Sequence, residues 1–179
     1  GCILIYISHA LLNNFTLQIM VTKGGNSSHM GIAMALAALS ELPTMLLFTK
    51  MLQKKNSGFW MKLTGFFFLL KALGSWLAPN VAVYCLLQLT QVLAWALIAV
   101  ASVYYINAVM APEDAVKGQA YYTMTYTLAS VLGSLIGGPM IDRWGVPPML
   151  LFGTLCAALG TAVVLFSAQD TVDKGVGIS

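Results

Sequence analysis

Six apolar stretches, each about 20 residues long, run along the chain and are separated by short polar breaks. An α-helix rises about 1.5 Å per residue, so a stretch of this length crosses the roughly 30 Å of hydrocarbon in a bilayer. Charged residues make up only 8% of the sequence, against about 25% in ordinary soluble domains. Such a chain cannot build a water-soluble surface. We therefore expect an all-α integral membrane protein, a six-helix transmembrane bundle.

Glycine, proline and asparagine mark the breaks and place the spans at residues 2–22, 29–51, 58–78, 80–106, 117–140 and 147–168. Because most breaks are short, consecutive helices are expected to be antiparallel neighbours. Gly133 and Gly137 have the GxxxG spacing that allows two membrane helices to approach closely. The bundle then covers residues 1–168, and residues 169–179 form a polar tail.

The loops on the two sides of the predicted bundle differ in charge. One side holds both termini and most of the lysines: Lys50, Lys54, Lys55, Lys62, Lys117 and Lys174. The opposite loops hold only Lys23 and Arg143. Because cytoplasmic loops are enriched in Lys and Arg, we expect a multi-pass protein of the plasma or inner membrane with a cytoplasmic C-terminus.

Two charged residues lie inside apolar spans, Glu41 in the second and Lys71 in the third. A charge at the centre of a membrane helix costs about 2.5–3.5 kcal/mol on insertion scales, so each needs a partner or water. The helical rise puts Glu41 about 16 Å and Lys71 about 10 Å from the outer surface, a gap that a lysine side chain can close. We predict that the two pair and line an aqueous cavity, with a static structural pair as the alternative.

Other candidate site residues are polar or aromatic side chains in three further spans: Gln88, Gln91 and Trp95 in the fourth, His9 and Asn13 in the first, and Tyr122 in the fifth. In the fourth span, Tyr84, Gln88, Gln91, Trp95 and Ser102 have the spacing of one helical face. Such a face suits a polar solute. The alternative is that these side chains hydrogen-bond one another between helices.

Several function classes are disfavoured. The chain has no GxxxxGK[ST] loop, so it contains no ATP-driven motor of that type. His9 and His29 are the only histidines, and no GxSxG or HExxH pattern accompanies them, which disfavours an intramembrane protease. The cysteines have no paired spacing of a metal or redox site, and a net charge of +3 is too small for a nucleic-acid surface. We expect no enzyme activity, no cofactor and no metal.

Two motifs carry a family resemblance. Leu39-Ser40-Glu41-Leu42-Pro43 in the second span, and the run from Leu132 through Gly137 and Gly138 to Gly145, resemble the second half of a major facilitator superfamily transporter. The similarity extends to the branch that includes lactose permease and the nucleoside and phenylpropionate proton symporters. It implies that these spans are helices seven to twelve of a twelve-helix fold, whose N-terminal six-helix half is the partner.

The resemblance also implies roles for individual residues. A glutamate used in sugar binding and coupling matches Glu41, and an arginine near the proton site matches Lys71. The His-x-x-Glu pair used for proton coupling falls on Gln91 and Ala94, which cannot replace it. If protons are coupled, Glu41 is the favoured carrier, with His9 or a carboxylate in the other half as alternatives.

The expected function is secondary active transport of a small polar solute, such as a sugar, nucleoside or aromatic acid, by proton symport and alternating access. The solute, protons and the lipid bilayer are the expected partners, and nucleic acid is not. The alternative is a membrane receptor or assembly subunit that kept the bundle and lost transport. The missing His-x-x-Glu pair favours that alternative, and the charges at Glu41 and Lys71 oppose it.

Overall fold

A computed structural model describes residues 1–168, so the predicted tail at residues 169–179 and Lys174 lie outside the described residues. The helices are α1 (Cys2–Asn14), α2 (Thr16–Thr22), α3 (Ser27–Leu52), α4 (Ser57–Leu77), α5 (Val81–Leu87), α6 (Trp95–Val109), α7 (Ala115–Trp144) and α8 (Val146–Ser167). A 3-10 segment, Gln88–Val92, connects α5 to α6. No strand occurs within residues 1–168, and the predicted all-α class is confirmed.

Each predicted span corresponds to a helical segment. By length and composition, α3, the α5–α6 segment, α7 and α8 can each cross a membrane, and the bent α1–α2 pair is a fifth candidate. Helix α4 is 21 residues long and is not among these candidates, and every 18-residue window within it includes Lys62 and Lys71. The structure therefore confirms a membrane helical bundle, and one of the two predicted intramembrane charges, Lys71, lies on α4.

Asparagine caps the N-terminus of three helices. The side chains of Asn26, Asn56 and Asn80 accept hydrogen bonds from backbone N–H groups in the first turns of α3, α4 and α5. Such caps satisfy donors that have no partner inside the helix. Between α7 and α8, Gly145 has a φ of 83°, a conformation that favours glycine. The breaks predicted from turn residues therefore coincide with observed helix ends.

Two of the predicted spans are not continuous helices, and this corrects the sequence prediction. The first bends by 64° at Phe15, between α1 and α2. Thr16 Oγ1 donates to the carbonyls of Leu12 (2.8 Å) and Asn13 (2.9 Å), a back-bond that bends helices. The fourth is interrupted by the 3-10 segment, where Thr90 Oγ1 donates to the Leu87 carbonyl at 2.7 Å. The predicted face of the fourth span therefore includes a stretch of 3-10 backbone, and its residues Tyr84, Gln88, Gln91 and Ser102 are buried.

Helix α1 lies at the centre of the bundle and packs against α4, α7 and α8. A Cβ atom added at Gly133 would lie 2.9 Å from Ala10 Cβ, and one at Gly137 would lie 2.4 Å from the Phe15 ring. The predicted close approach at the GxxxG spacing is thus confirmed, with α1 as the helix that α7 contacts. Between α8 and α4, Thr161 Oγ1 donates to the Gly65 carbonyl at 2.8 Å.

Helices α3 and α7 leave most of their length uncovered. Large apolar side chains project outward from both, including Leu39 and Leu46 on α3 and Met124 and Leu135 on α7. Exposed apolar surface of this extent is normal in lipid or at a helix interface and unfavourable in water. These two helices therefore form the faces available to hydrocarbon or to further helices.

Candidate functional site

The middle of α3 packs against the 3-10 segment, and a side chain of α3 hydrogen-bonds to the backbone of that segment. Pro43 lies inside α3, and Thr44 Oγ1 donates to the Val92 carbonyl at 2.8 Å. Irregular backbone at membrane depth is tolerated where neighbouring side chains satisfy its polar groups. Glu41 lies three residues before Thr44 and so on the same side of α3. This contact directs Glu41 towards the break and towards Gln91.

Lys71, Gln91 and Glu41 form a connected cluster across three helical segments. Lys71 is only 1% exposed, and its ammonium group donates to Gln91 Oε1. The Gln91 side chain also lies close enough to the Glu41 carboxylate to stabilise its charge, and Glu41 and Lys71 interact electrostatically. An amide side chain has both an acceptor oxygen and donor hydrogens, so Gln91 can bridge a cation and an anion. We call these three residues the charge cluster.

The charge cluster explains how two ionised groups coexist in apolar spans. Removing one partner of a buried pair costs about 3–5 kcal/mol, because the remaining charge is left uncompensated. Lys71 is enclosed on all sides, whereas Glu41 is only partly buried. The carboxylate is therefore the member of the cluster that a proton or solute can reach from the uncovered side of α3.

His9 forms a second group of contacts in α1. Its ring stacks on the Trp95 indole with centroids 4.6 Å apart and planes inclined by 9°. Its Nε2 lies 3.0 Å from Asn13 Nδ2, and within residues 1–168 its buried Nδ1 has no hydrogen-bond partner. Because Asn13 presents a donor, the neutral ring would have its proton on Nδ1. His9 also lies within electrostatic range of Lys71.

A cavity of about 210 Å³ lies between α1, α6 and α7, and Trp95 is one of its lining residues. Its lining residues are Tyr6, Trp95, Ile98, Ala99, Ser102, Val103, Gln119, Tyr122, Thr123 and Tyr126. The phenol groups of Tyr6 and Tyr122 are hydrogen-bonded to each other. The Tyr126 ring lies 5.4 Å from that of Tyr6 and 5.1 Å from that of Trp95, measured between centroids. We call this space the aromatic cavity.

The predicted site residues therefore fall into three places. Glu41, Lys71 and Gln91 meet in the charge cluster, while His9, Asn13, Trp95 and Tyr122 belong to the aromatic cavity and its support. Gln88 lies apart from both, because its side chain turns back to Tyr84, whose carbonyl accepts from Gln88 Nε2 at 3.5 Å. Gln88 and Gln91 are both buried, but their side chains have different hydrogen-bond partners.

The sequence prediction missed Thr44, Tyr6 and Tyr126 as functional candidates. Thr44 follows Pro43 directly, and a hydroxyl beside a mid-span proline is a usable signal for a repaired break. Tyr6 precedes His9 by one helical turn, and Tyr126 follows Tyr122 by one turn. These spacings place Tyr6 with His9, and Tyr126 with Tyr122, on one helical face each, but only the tertiary packing shows that the two faces meet.

No metal centre is apparent in the part of the chain that the structure describes. Within residues 1–168, no group of three His, Cys, Asp or Glu side chains has the proximity needed to hold an ion. Cys2, Cys85 and Cys156 are all unpaired as thiols. The candidate chemistry is therefore that of charge, hydrogen bonding and ring stacking.

Comparison with known proteins gives one assignment. No curated protein matches the chain. The profile of the MFS_1 like family matches residues 1–153, which cover the helices that build both the charge cluster and the aromatic cavity. This match supports a relationship to the major facilitator superfamily and a transporter in general. The chain belongs to the MFS_1 like family.

Proposed function

We propose that this chain is the C-terminal six-helix half of a secondary active transporter that moves a small polar solute together with protons by alternating access. The observation that carries the proposal is the charge cluster, in which a partly exposed carboxylate is joined through Gln91 to an enclosed lysine. Ionisable residues inside membrane spans usually mark routes for substrates or ions. The family match supports transport, and the coupling rests on the cluster.

The charge cluster offers a simple physical basis for coupling. With Glu41 ionised, the cluster holds one positive and one negative charge and can be enclosed at a lower cost than an unpaired charge. With Glu41 protonated, Lys71 is left as an uncompensated cation, at a cost of about 2.5–3.5 kcal/mol if kept from water. Protonation would therefore favour a conformation in which water reaches Lys71. A change in proton occupancy would in this way bias which side of the membrane is open.

The uncovered faces of α3 and α7 support a second half. Secondary transporters of this kind are built from related repeats, and the solute binds near the midplane between them. Glu41 lies on one of these two helices, and Tyr126 and Gln119 of the aromatic cavity lie on the other. An N-terminal six-helix half packed on these faces would place both groups beside the shared path. The lysine-rich loops would then face the cytoplasm of a plasma or inner membrane.

The test is solute uptake into vesicles that contain the full-length protein, with and without an imposed pH gradient. Uridine, methyl β-galactoside and 3-phenylpropionate represent the three solute classes. We expect gradient-dependent uptake of at least one, and its loss in Glu41→Gln and Lys71→Met. Lys54→Met, which removes an exposed loop lysine, is the matched control and keeps uptake. Wild-type uptake in the single variants and in the double variant would refute the coupling role.

A receptor or assembly subunit remains the second candidate. It is favoured by Gln91 and the fully buried Ala94, which stand where the resembling branch has its His-x-x-Glu pair. A receptor would bind one of the three solutes without accumulating it under any gradient. Binding without uptake in wild-type vesicles is therefore the result that would favour this candidate over transport.

A further inference from the structure

The aromatic cavity has the dimensions of a site for a single ring. At roughly 30 Å³ per water molecule, 210 Å³ corresponds to about seven waters. Pockets for drug-sized ligands begin at about 300 Å³, so this cavity suits a smaller solute. Four of its lining residues are aromatic: Tyr6, Trp95, Tyr122 and Tyr126. Their faces and edges provide the walls against which a planar or pyranose ring packs.

Contacts with neighbouring side chains fix the position of the Trp95 indole. One face of the indole is stacked on His9, which in turn lies 3.0 Å from the Asn13 amide nitrogen. The Tyr6 ring meets the indole edge-on at a centroid distance of 6.1 Å. A side chain fixed on several sides loses little conformational entropy when a ligand packs on it. The wall of the cavity is therefore organised before any ligand arrives.

The polar groups of the cavity have already used donor hydrogens within the protein. Ser102 Oγ donates to the Ala99 carbonyl at 3.3 Å, and Thr123 Oγ1 donates to the Gln119 carbonyl at 2.9 Å. Gln119 Nε2 donates to the Val103 carbonyl at 3.2 Å. A hydroxyl that donates one hydrogen bond keeps acceptor capacity, and so does the amide oxygen of glutamine. The cavity therefore presents several acceptors to a ligand, beside the second amide hydrogen of Gln119.

The charge of the lining points the same way. Among the described residues that line the cavity, none is Lys, Arg, Asp or Glu. A carboxylate is an acceptor only, and its desolvation is costly without a cation or several donors. A ring with hydroxyl or N–H donors finds several acceptors here, whereas the carboxylate of an aromatic acid finds no cation and few donors among the lining residues.

We infer that the aromatic cavity binds an uncharged ring with hydrogen-bond donors on its edge, the chemistry shared by nucleosides and monosaccharides, and that it disfavours aromatic acids. The inference rests on the proposed function, because it names the solute class of that transporter. The ring packs against Trp95 and Tyr126, and its hydroxyl or N–H groups donate to Ser102 and Gln119.

The experiment is equilibrium dialysis of radiolabelled uridine, methyl β-galactoside and 3-phenylpropionate against the purified full-length protein in detergent. We expect uridine or methyl β-galactoside to bind and 3-phenylpropionate to bind at least about tenfold more weakly. Tyr126→Leu removes one ring of the cavity and should weaken binding of the uncharged probe about tenfold, the effect of losing a ring contact of about 1.4 kcal/mol. Tyr121→Leu is the matched control, because Tyr121 lies outside the cavity lining and is 67% exposed.

Ala99→Met is a second variant that fills the cavity without removing a ring, and it should abolish binding of the uncharged probe. The inference is overturned if both variants keep wild-type affinity, if 3-phenylpropionate binds as tightly as the best uncharged probe, or if neither uncharged probe binds the wild-type protein. Accumulation of 3-phenylpropionate alone under a pH gradient would overturn it while leaving the proposed function standing. Binding of an uncharged probe at the cavity without any uptake would support the inference and overturn the proposed transport function.

Discussion

Two glycines on α8 face the same helix, α1, at very different clearances. A Cβ atom at Gly160 would lie 2.9 Å from the Ile5 backbone nitrogen and 2.9 Å from the Gly1 carbonyl oxygen. At Gly153, seven residues earlier, the nearest atom would be Leu11 Cδ1 at 3.4 Å, an ordinary van der Waals distance. Gly160→Ala and Gly153→Ala therefore make the same chemical change on one helix against one neighbour, and differ only in the space available.

The magnitude follows from two opposing terms. Replacing glycine by alanine in a helix favours folding by about 0.8–1 kcal/mol through propensity, and this gain is common to both variants. Overpacking costs about 1–3 kcal/mol, and it applies only at Gly160, where the contacts are backbone atoms that cannot rotate away. We expect Gly153→Ala to stabilise the protein slightly and the free energy of unfolding of Gly160→Ala to be about 1–3 kcal/mol lower than that of Gly153→Ala.

The assay is unfolding of the full-length protein by SDS in mixed detergent micelles, followed by far-ultraviolet circular dichroism. Taking the difference between the two variants cancels the propensity term and most of the effect on the unfolded state. Equal free energies of unfolding, within about 0.5 kcal/mol, would show that α1 and α8 do not approach at Gly160 as described. A larger loss at Gly153 would contradict the packing directly.

Two further predictions concern a hydrogen bond inside the bundle and an exposed ion pair, which we expect to contribute differently to the free energy of unfolding. Thr44→Val removes the donor to the Val92 carbonyl and should lower the free energy of unfolding by about 1–2 kcal/mol, while Thr44→Ser, which keeps the hydroxyl, should cost less than half as much in the same assay. Equal losses would mean that the methyl group and not the hydroxyl matters. Asp114→Asn breaks the exposed ion pair with Lys117, whose atoms lie 2.7 Å apart, and should change stability by less than about 0.5 kcal/mol in both low and high salt. A loss above about 1 kcal/mol would contradict that reasoning.

The helices were predictable because apolar length and turn residues are local properties of the chain. Glycine, proline and asparagine positions placed the ends of α3, α4 and α8 within a few residues of those observed. The bends were not predictable in the same way. They depend on whether Thr16 and Thr90 bond to their own backbone or to a neighbour, and the sequence leaves both options open.

Most members of the charge cluster and of the aromatic cavity were chosen from the sequence as candidate site residues, but the contacts between them were less predictable. Charged residues are rare in apolar spans, so Glu41 and Lys71 were predicted from the sequence. Gln91 was chosen as part of a polar face, yet its place between the two charges depends on how the 3-10 segment packs against α3 and α4. The union of Tyr6 with Tyr122 and Tyr126 required the packing of α1 on α7, a contact between residues more than 100 positions apart in the chain.

The stack of His9 on Trp95 has a thermodynamic consequence. The indole borders the aromatic cavity, the imidazole behind it lies within electrostatic range of Lys71, and Lys71 is joined through Gln91 to the Glu41 carboxylate. A solute in the aromatic cavity and a proton on Glu41 would therefore both affect the side chains that lie between the cavity and the charge cluster. Linkage is symmetrical: whatever factor a bound solute applies to the proton affinity, protonation applies to the solute affinity. Measuring the solute affinity at several proton concentrations, or the proton affinity at several solute concentrations, should therefore give the same coupling free energy.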